Sequence, residues 1–196
     1  MYASGAPYLG EKKMELTSPH GGQFLGGGEG GGNLLVRLFK DKLIMIDEIR
    51  HPEMEGETLM NESVFIHIDP RTDEWRGVLD HRPAKGIAVE IYGVTRSAKD
   101  LQIFGALNRS LDELCVEESQ IAKFVRVNGN EFMKNCRSTL FLVKIKEEYR
   151  VIEVRSYAGL DRYVPHMVGM RFHHILKAFD GVRCKYQIVV PTPSKK

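Results

Sequence analysis

Two groups of histidines carry the side chains that proton transfer or metal binding would need. His51, His67 and His81 lie among Glu53, Glu55, Glu57, Asp69, Asp73, Glu74 and Asp80, and an imidazole with two carboxylates can act as general acid and base or hold a divalent ion. The spacing favours a plainer role. Asp69 and Asp73 flank a turn, where carboxylates cap backbone amides, and His67 belongs inside a strand. In the second group, His166, Met170, His173 and Lys177 fall along one face at helical spacing, with His174 adjacent. No HExxH-like ligand spacing is present, and Lys177 would repel a cation. No G-x-S-x-G elbow and no paired Cys–His arrangement occurs. The residues therefore assign no catalytic group, no metal ligand and no cofactor. An acid–base or metal-dependent enzyme built on the first-half His and carboxylates is the third reading.

A second chemistry is polyanion binding. Residues 34–94 carry 8 Lys/Arg against 12 Asp/Glu, a net of −4, whereas residues 95–196 carry 18 against 11, a net of +7. In the strand expected at 139–146, Phe141, Val143 and Ile145 share one face and Leu142, Lys144 and Lys146 the other. In the strand at 150–157, Ile152 and Val154 face inward, leaving Glu153, Arg155 and Tyr157 outward. Pairing these strands gathers Lys144, Lys146, Arg155 and Tyr157, and Arg162, Tyr163, Arg171, Lys185 and Tyr186 extend the patch. Cations for phosphates and aromatic rings for base stacking suit single-stranded DNA or RNA.

The elements that must position these residues form a β-rich α+β chain. Leu34–Phe39 and Leu43–Ile49 read as a hairpin about Lys40-Asp41-Lys42, followed by strands at Val64–Ile68, Trp75–Leu79 and Ile87–Tyr92. Ser97 and Asp100 suggest a capped start for a helix over 98–114, with Leu101, Phe104, Leu107, Leu111 and Leu114 as its apolar stripe. Ile121–Val127 reads as a strand entering an Asn128-Gly129 turn, or as a continuation of helix through Ser119–Phe124. Thr139–Lys146 and Arg150–Tyr157 pair about Glu147-Glu148. Val168, Phe172, Ile175, Leu176 and Phe179 form a second helical stripe ending at Asp180-Gly181, and Arg183–Val190 is a last strand. The expected fold is thus an antiparallel sheet with two packed amphipathic helices, strands then helix twice over, without a residue-level repeat. The succession from Leu140 to Phe179, paired strands followed by a helix, resembles the strand–helix unit of the whirly-type single-stranded-DNA-binding folds, and no functional residue is carried over from it.

Eight of the twelve positions from Gly21 to Gly32 are glycine, so residues 1–33 read as a flexible head. The tract has neither the Arg of an RNA-binding tail nor the Lys and Ser/Thr of a phosphate loop. Residues 34–190 form the folded domain, divisible into 34–115 and 116–190, and 191–196 a polar tail. Apolar runs such as Leu140–Ile145 are far shorter than the roughly 20 residues of a membrane span. The first residues lack a basic leader followed by an apolar core. Cys115, Cys136 and Cys184 share no CxxC spacing, which fits buried thiols in the cytoplasm or another reducing compartment. Two non-enzymatic readings lead. One is a single-stranded nucleic-acid-binding module using the basic and aromatic sheet face. The other is a structural, self-assembling homo-oligomer whose Gly-rich head packs on neighbouring subunits, with halves of opposite charge meeting across copies.

Overall fold

In Ile87–Val94 the β-branched Ile87, Val89 and Ile91 alternate with Ala88, Glu90 and Tyr92, and this run, β3, becomes the organising strand of the sheet. The computed structural model describes residues 33–58, 83–133, 136, 138–145, 147–156, 163–168, 175–176 and 186–193; for Ser156, 163–168 and 175–176 it gives the backbone path alone. On one side of β3 runs β9 (Tyr186–Pro191), antiparallel. Beyond it come β5 (Ser138–Ile145), parallel to β9, then β6 (Glu148–Ser156) and β7 (Tyr163–Val168), each antiparallel to its predecessor. The class is α+β with a mostly antiparallel sheet.

The other side of β3 corrects the expected hairpin. β1 (Leu35–Leu38) and β2 (Ile44–Ile46) both pair with β3, in the same direction, instead of with each other. Leu38 lies opposite Ile91 and Ile44 opposite Val89. The outer chain thus spends six residues where β3 spends two, and Phe39–Leu43 folds out as an excursion. Phe39 takes a positive φ of 51°, and Lys42 N–H closes the turn onto the Phe39 carbonyl at 3.1 Å. Two apolar runs around a polar link look alike in a hairpin and in an interrupted edge strand; only the long-range partner separates them.

The helix expected over 98–114 is broken. Ala98–Lys99 forms β4, which pairs with β8 (Ile175–Leu176). A short helix, Asp100–Gly105, follows; Asn108 turns left-handed at φ 52°, and Leu111–Leu114 makes another single turn. The capping device sits at this second start: Glu113 N–H donates to Ser110 Oγ and Ser110 N–H to Glu113 Oε2, both at 3.3 Å. With Pro52–Glu55 as α1, these two turns are α2 and α3. Phe104 and Leu114 are buried as the stripe requires, whereas Leu101 is exposed.

The long helix, α4, spans Glu118–Phe132. It replaces the strand and the Asn128-Gly129 turn, in favour of the helical alternative. Ile121, Phe124, Val125 and Phe132 are buried at helical spacing, and Gln120 Oε1 accepts from Glu117 N–H at 2.8 Å. The second expected helix is also corrected: Val168 ends β7 and Ile175–Leu176 are a strand, so the whirly-like succession of strands and then helix is not kept there. Its Phe172 and Phe179, like Val64–Ile68 and Trp75–Leu79, lie outside the described residues. Nor does the second half repeat the order of the first, because it opens with α4 and its β9 inserts between β3 and β5.

Two layers of side chains sandwich the sheet. On one face Ile44, Ile46, Val89, Ile91, Phe141, Val143, Ile152, Val154 and Val189 pack against α4. Phe124 meets Phe141 edge-on at 5.7 Å between ring centres. On the other face Val94, Leu140, Leu142, Val151, Ile188 and Val190 pack against Ile103, Phe104 and Leu114 of α2 and α3.

Candidate functional site

The second layer decides where the expected basic face lies. β5 and β6 pair as anticipated, with Leu140 opposite Glu153, Leu142 opposite Val151 and Lys144 opposite Tyr149. Strand alternation places Leu142, Lys144, Glu153 and Arg155 together and outward; they do share a face, but Leu140, Leu142, Val151 and Glu153 are buried beneath α2 and α3. Alternation fixes which residues share a face and is silent about what covers it.

Lys144 and Arg155 are left at opposite ends of this face, about 20 Å apart at the usual rise per residue. Lys144 Nζ contacts Asp112 and Glu147, each at 3.0 Å, and stands over the Tyr149 ring. Its hydrogen bonds to Asp112 and then Glu147 raise its pKa, and the same bond lowers that of Asp112. Arg155 grips Glu153 through Nε at 3.1 Å and Nη2 at 3.0 Å. Tyr186 is half-buried against the second layer. Tyr163 begins β7 opposite Ser156, while Lys146, Tyr157, Arg162, Arg171 and Lys185 lie outside the described residues.

Of the histidines, His51 precedes α1 and is exposed. Its N–H and that of Arg50 donate to Glu55 Oε1 at 3.2 and 3.1 Å, and the His51 bond leads in lowering the Glu55 pKa. Glu57 is buried and bound to Lys123 at 3.2 Å and Arg126 at 3.9 Å, which ties the α1 turn to α4. These carboxylates secure a loop. His166 is a β7 residue opposite Glu153 in register; His67, His81, His173, His174, Asp69, Asp73, Glu74 and Asp80 lie outside the described residues. Among the described residues no three His, Cys, Asp or Glu side chains converge where a metal could sit. No described helix is long and apolar enough to cross a membrane. Cys136 is buried and Cys115 half-buried, and burial leads in pushing the Cys115 thiol up to about 12.

Sequence reasoning missed a buried acidic pair. Asp100 opens α2 only 1 % exposed, and its Oδ1 has no hydrogen-bond partner. Burial, and then the charge of Glu153, push its carboxyl up to about 7. Glu153 is itself buried, accepting from Ser138 Oγ at 2.5 Å besides the Arg155 fork. In sequence, Asp100 looks like an ordinary residue of a helical first turn.

The open edge of the sheet is the other feature missed. Among the described residues, four of the seven exposed large apolar side chains, Val36, Phe39, Leu43 and Met45, fall within ten positions of β1, the excursion and β2; Leu43 is 74 % exposed. Val127 adds a fifth from α4, one turn before Glu131, the carboxylate that pairs with Lys42. Asn128 Nδ2 donates to the outward Met45 carbonyl at 3.5 Å, placing α4 beside this edge. Arg37 and Lys42, two of the cations beside the edge, turn to Glu90 at 2.9 Å and to Glu131. Tyr92 OH also donates to Glu90 at 2.7 Å, and burial followed by this bond raises its phenol to about 12.

Comparison with protein-family models, with curated proteins and with solved structures finds no match.

Proposed function

We propose that this chain is a non-enzymatic structural protein that works by assembling with further copies of itself. The observation that carries this reading is the concentration of exposed Val36, Leu43, Met45 and Val127 around one open sheet edge. Isolated surface hydrophobes need no explanation, but several gathered along one open edge, where Arg37 and Lys42 pair with Glu90 and Glu131 of the same chain, mark a contact surface. The surrounding exposed charges, Lys40, Asp41, Asp47 and Glu48, are of mixed sign, which suits contact between identical neighbours.

Size-resolved light scattering across micromolar concentrations tests it, with fluorescent single-stranded DNA and RNA added in a salt series. Mass should rise with concentration, and the double substitution Val36→Lys, Leu43→Lys should return the chain to monomer. A wild-type chain that stays monomeric throughout overturns the reading. The competing single-stranded nucleic-acid reading now leans on Lys146, Tyr157, Arg162, Arg171 and Lys185; salt-sensitive co-migration with the oligonucleotide, without self-association, would favour it.

A further inference from the structure

The hydrogen-bond pattern of β3 determines which backbone groups of β1 are free. Thr95 N–H donates to the Leu34 carbonyl at 3.0 Å, and antiparallel bonding alternates along the strand. Val36 and Leu38, opposite Gly93 and Ile91, therefore turn their amides and carbonyls to β3, while those of Leu35 and Arg37 point to the open edge. Both β1 and β2 lie on the outer side of β3, and no further strand pairs with β1 among the described residues.

We propose that a second copy of this chain pairs here, β1 against β1, antiparallel about a two-fold axis through Val36. The proposal rests on the self-assembly reading and names its interface. Three registers bring outward-facing residues into bonded pairs. Centring on Arg37 sets the two guanidinium groups directly opposite one another, an unfavourable like-charge pair. Centring on Leu35 runs half the strand past the partner's start. Centring on Val36 alone uses all of β1: Leu35 bonds with Arg37 of the other copy, Arg37 with Leu35, and Leu34 lies beside Leu38. In this register each Arg37 keeps its own Glu90 and lies opposite an apolar Leu35 of the other copy.

This register makes Val36, 45 % exposed on the monomer, the non-hydrogen-bonded pair at the axis, where opposing side chains come closest. It also satisfies the four outward backbone groups that the edge leaves open. A two-fold contact of this kind is self-complementary and closed, giving a dimer instead of an open filament. A four-residue pairing is small for an interface, so association belongs in the micromolar range.

The test is cross-linking of the full chain under diamide, read on a non-reducing gel, with the wild type run alongside to account for its own cysteines. Val36→Cys sets two cysteine Cα atoms about 4.5 Å apart across a non-hydrogen-bonded pair, within disulfide reach. Leu43→Cys, about three strand positions or roughly 10 Å along the edge from the axis on each copy, does not. The expected result is a shift of most Val36→Cys chain to the dimer band, with Leu43→Cys remaining at the wild-type level. Cross-linking through Leu43→Cys but not Val36→Cys overturns the strand pairing. Light scattering on the same samples separates the two failures: a dimer without the Val36→Cys link removes this interface and leaves assembly standing, whereas a monomer removes both.

Discussion

Replacing Asp100 with Asn should stabilise the protein, and by an amount that grows with pH. The carboxyl is buried at the start of α2, has an unpartnered oxygen and faces the buried Glu153. Its ordinary value of 3.8 rises to about 7 in the fold. A raised acid means the native state holds a proton that the unfolded chain has released. Stability therefore falls as pH climbs from about 4 to about 7 and levels off above that. A tenfold difference in proton affinity between the folded and unfolded chain is worth roughly 1.4 kcal/mol, which sets an upper bound of about 4 kcal/mol on the cost at pH 8 and about 1.5 kcal/mol at pH 5. The favourable position of a charge in a helical first turn returns roughly 0.3–1 kcal/mol. Asn keeps the shape and removes the charge, so Asp100→Asn should gain about 2–4 kcal/mol at pH 8 and less than half of that at pH 5. Urea unfolding of both proteins at several pH values measures this, and carbon-13 NMR of the Asp100 carboxyl follows its titration directly. An advantage that does not widen between pH 5 and pH 8, or a carboxyl titrating near 4, would refute the reasoning.

Two further substitutions probe the other charged sites. Glu57→Gln strips the buried carboxylate from Lys123 and Arg126 and should destabilise the chain by roughly 1–3 kcal/mol, with proteolysis near the α1 turn increasing in step; unchanged unfolding would show that the tie is ornamental. Neutralising Lys144 and Arg155 together, as Lys144→Gln and Arg155→Gln, should leave any retention of single-stranded DNA and its salt dependence unchanged, because both cations already face carboxylates. A weaker salt slope in fluorescence anisotropy would restore the sheet face as a phosphate contact.

How much of the fold is legible in the sequence follows from how local the deciding interaction is. The β5–β6 hairpin is legible because its two strands are neighbours in sequence and their alternation agrees, down to Phe141 opposite Ile152. The segment after Glu117 carries a helical stripe and a strand-like run at once, and the Asn128-Gly129 pair tips the balance to a turn. Burial of Ile121, Phe124 and Val125 against a face already formed by β3, β5 and β6 resolves it as helix, as tertiary packing overrides local preference. Ile175 and Leu176 show the opposite case: apolar, they suit either period, and Ala98 and Lys99 of a distant segment supply the partner that makes them a strand.

The same non-locality hides the two features that matter most for function. Nothing in the run Ser97–Leu101 announces that Asp100 will be buried near Glu153, because the two meet only when α2 lies across a face that sequence alternation assigns to solvent. Burying that face also changes the meaning of the basic excess in residues 95–196. Lys144 and Arg155 lie at its two ends and balance local carboxylates, so the charge surplus cannot be converted into a binding surface by counting. The apolar excess at the β1–β2 edge is the reverse. Val36, Leu43 and Met45 belong to two runs that read in sequence as the strands of a hairpin, and only the placement of those runs along β3 puts them on an open edge. An apolar side chain on an open edge is a stronger statement about partners than a lysine on a strand, because water already satisfies the lysine and does not satisfy a group of exposed Val, Leu and Met.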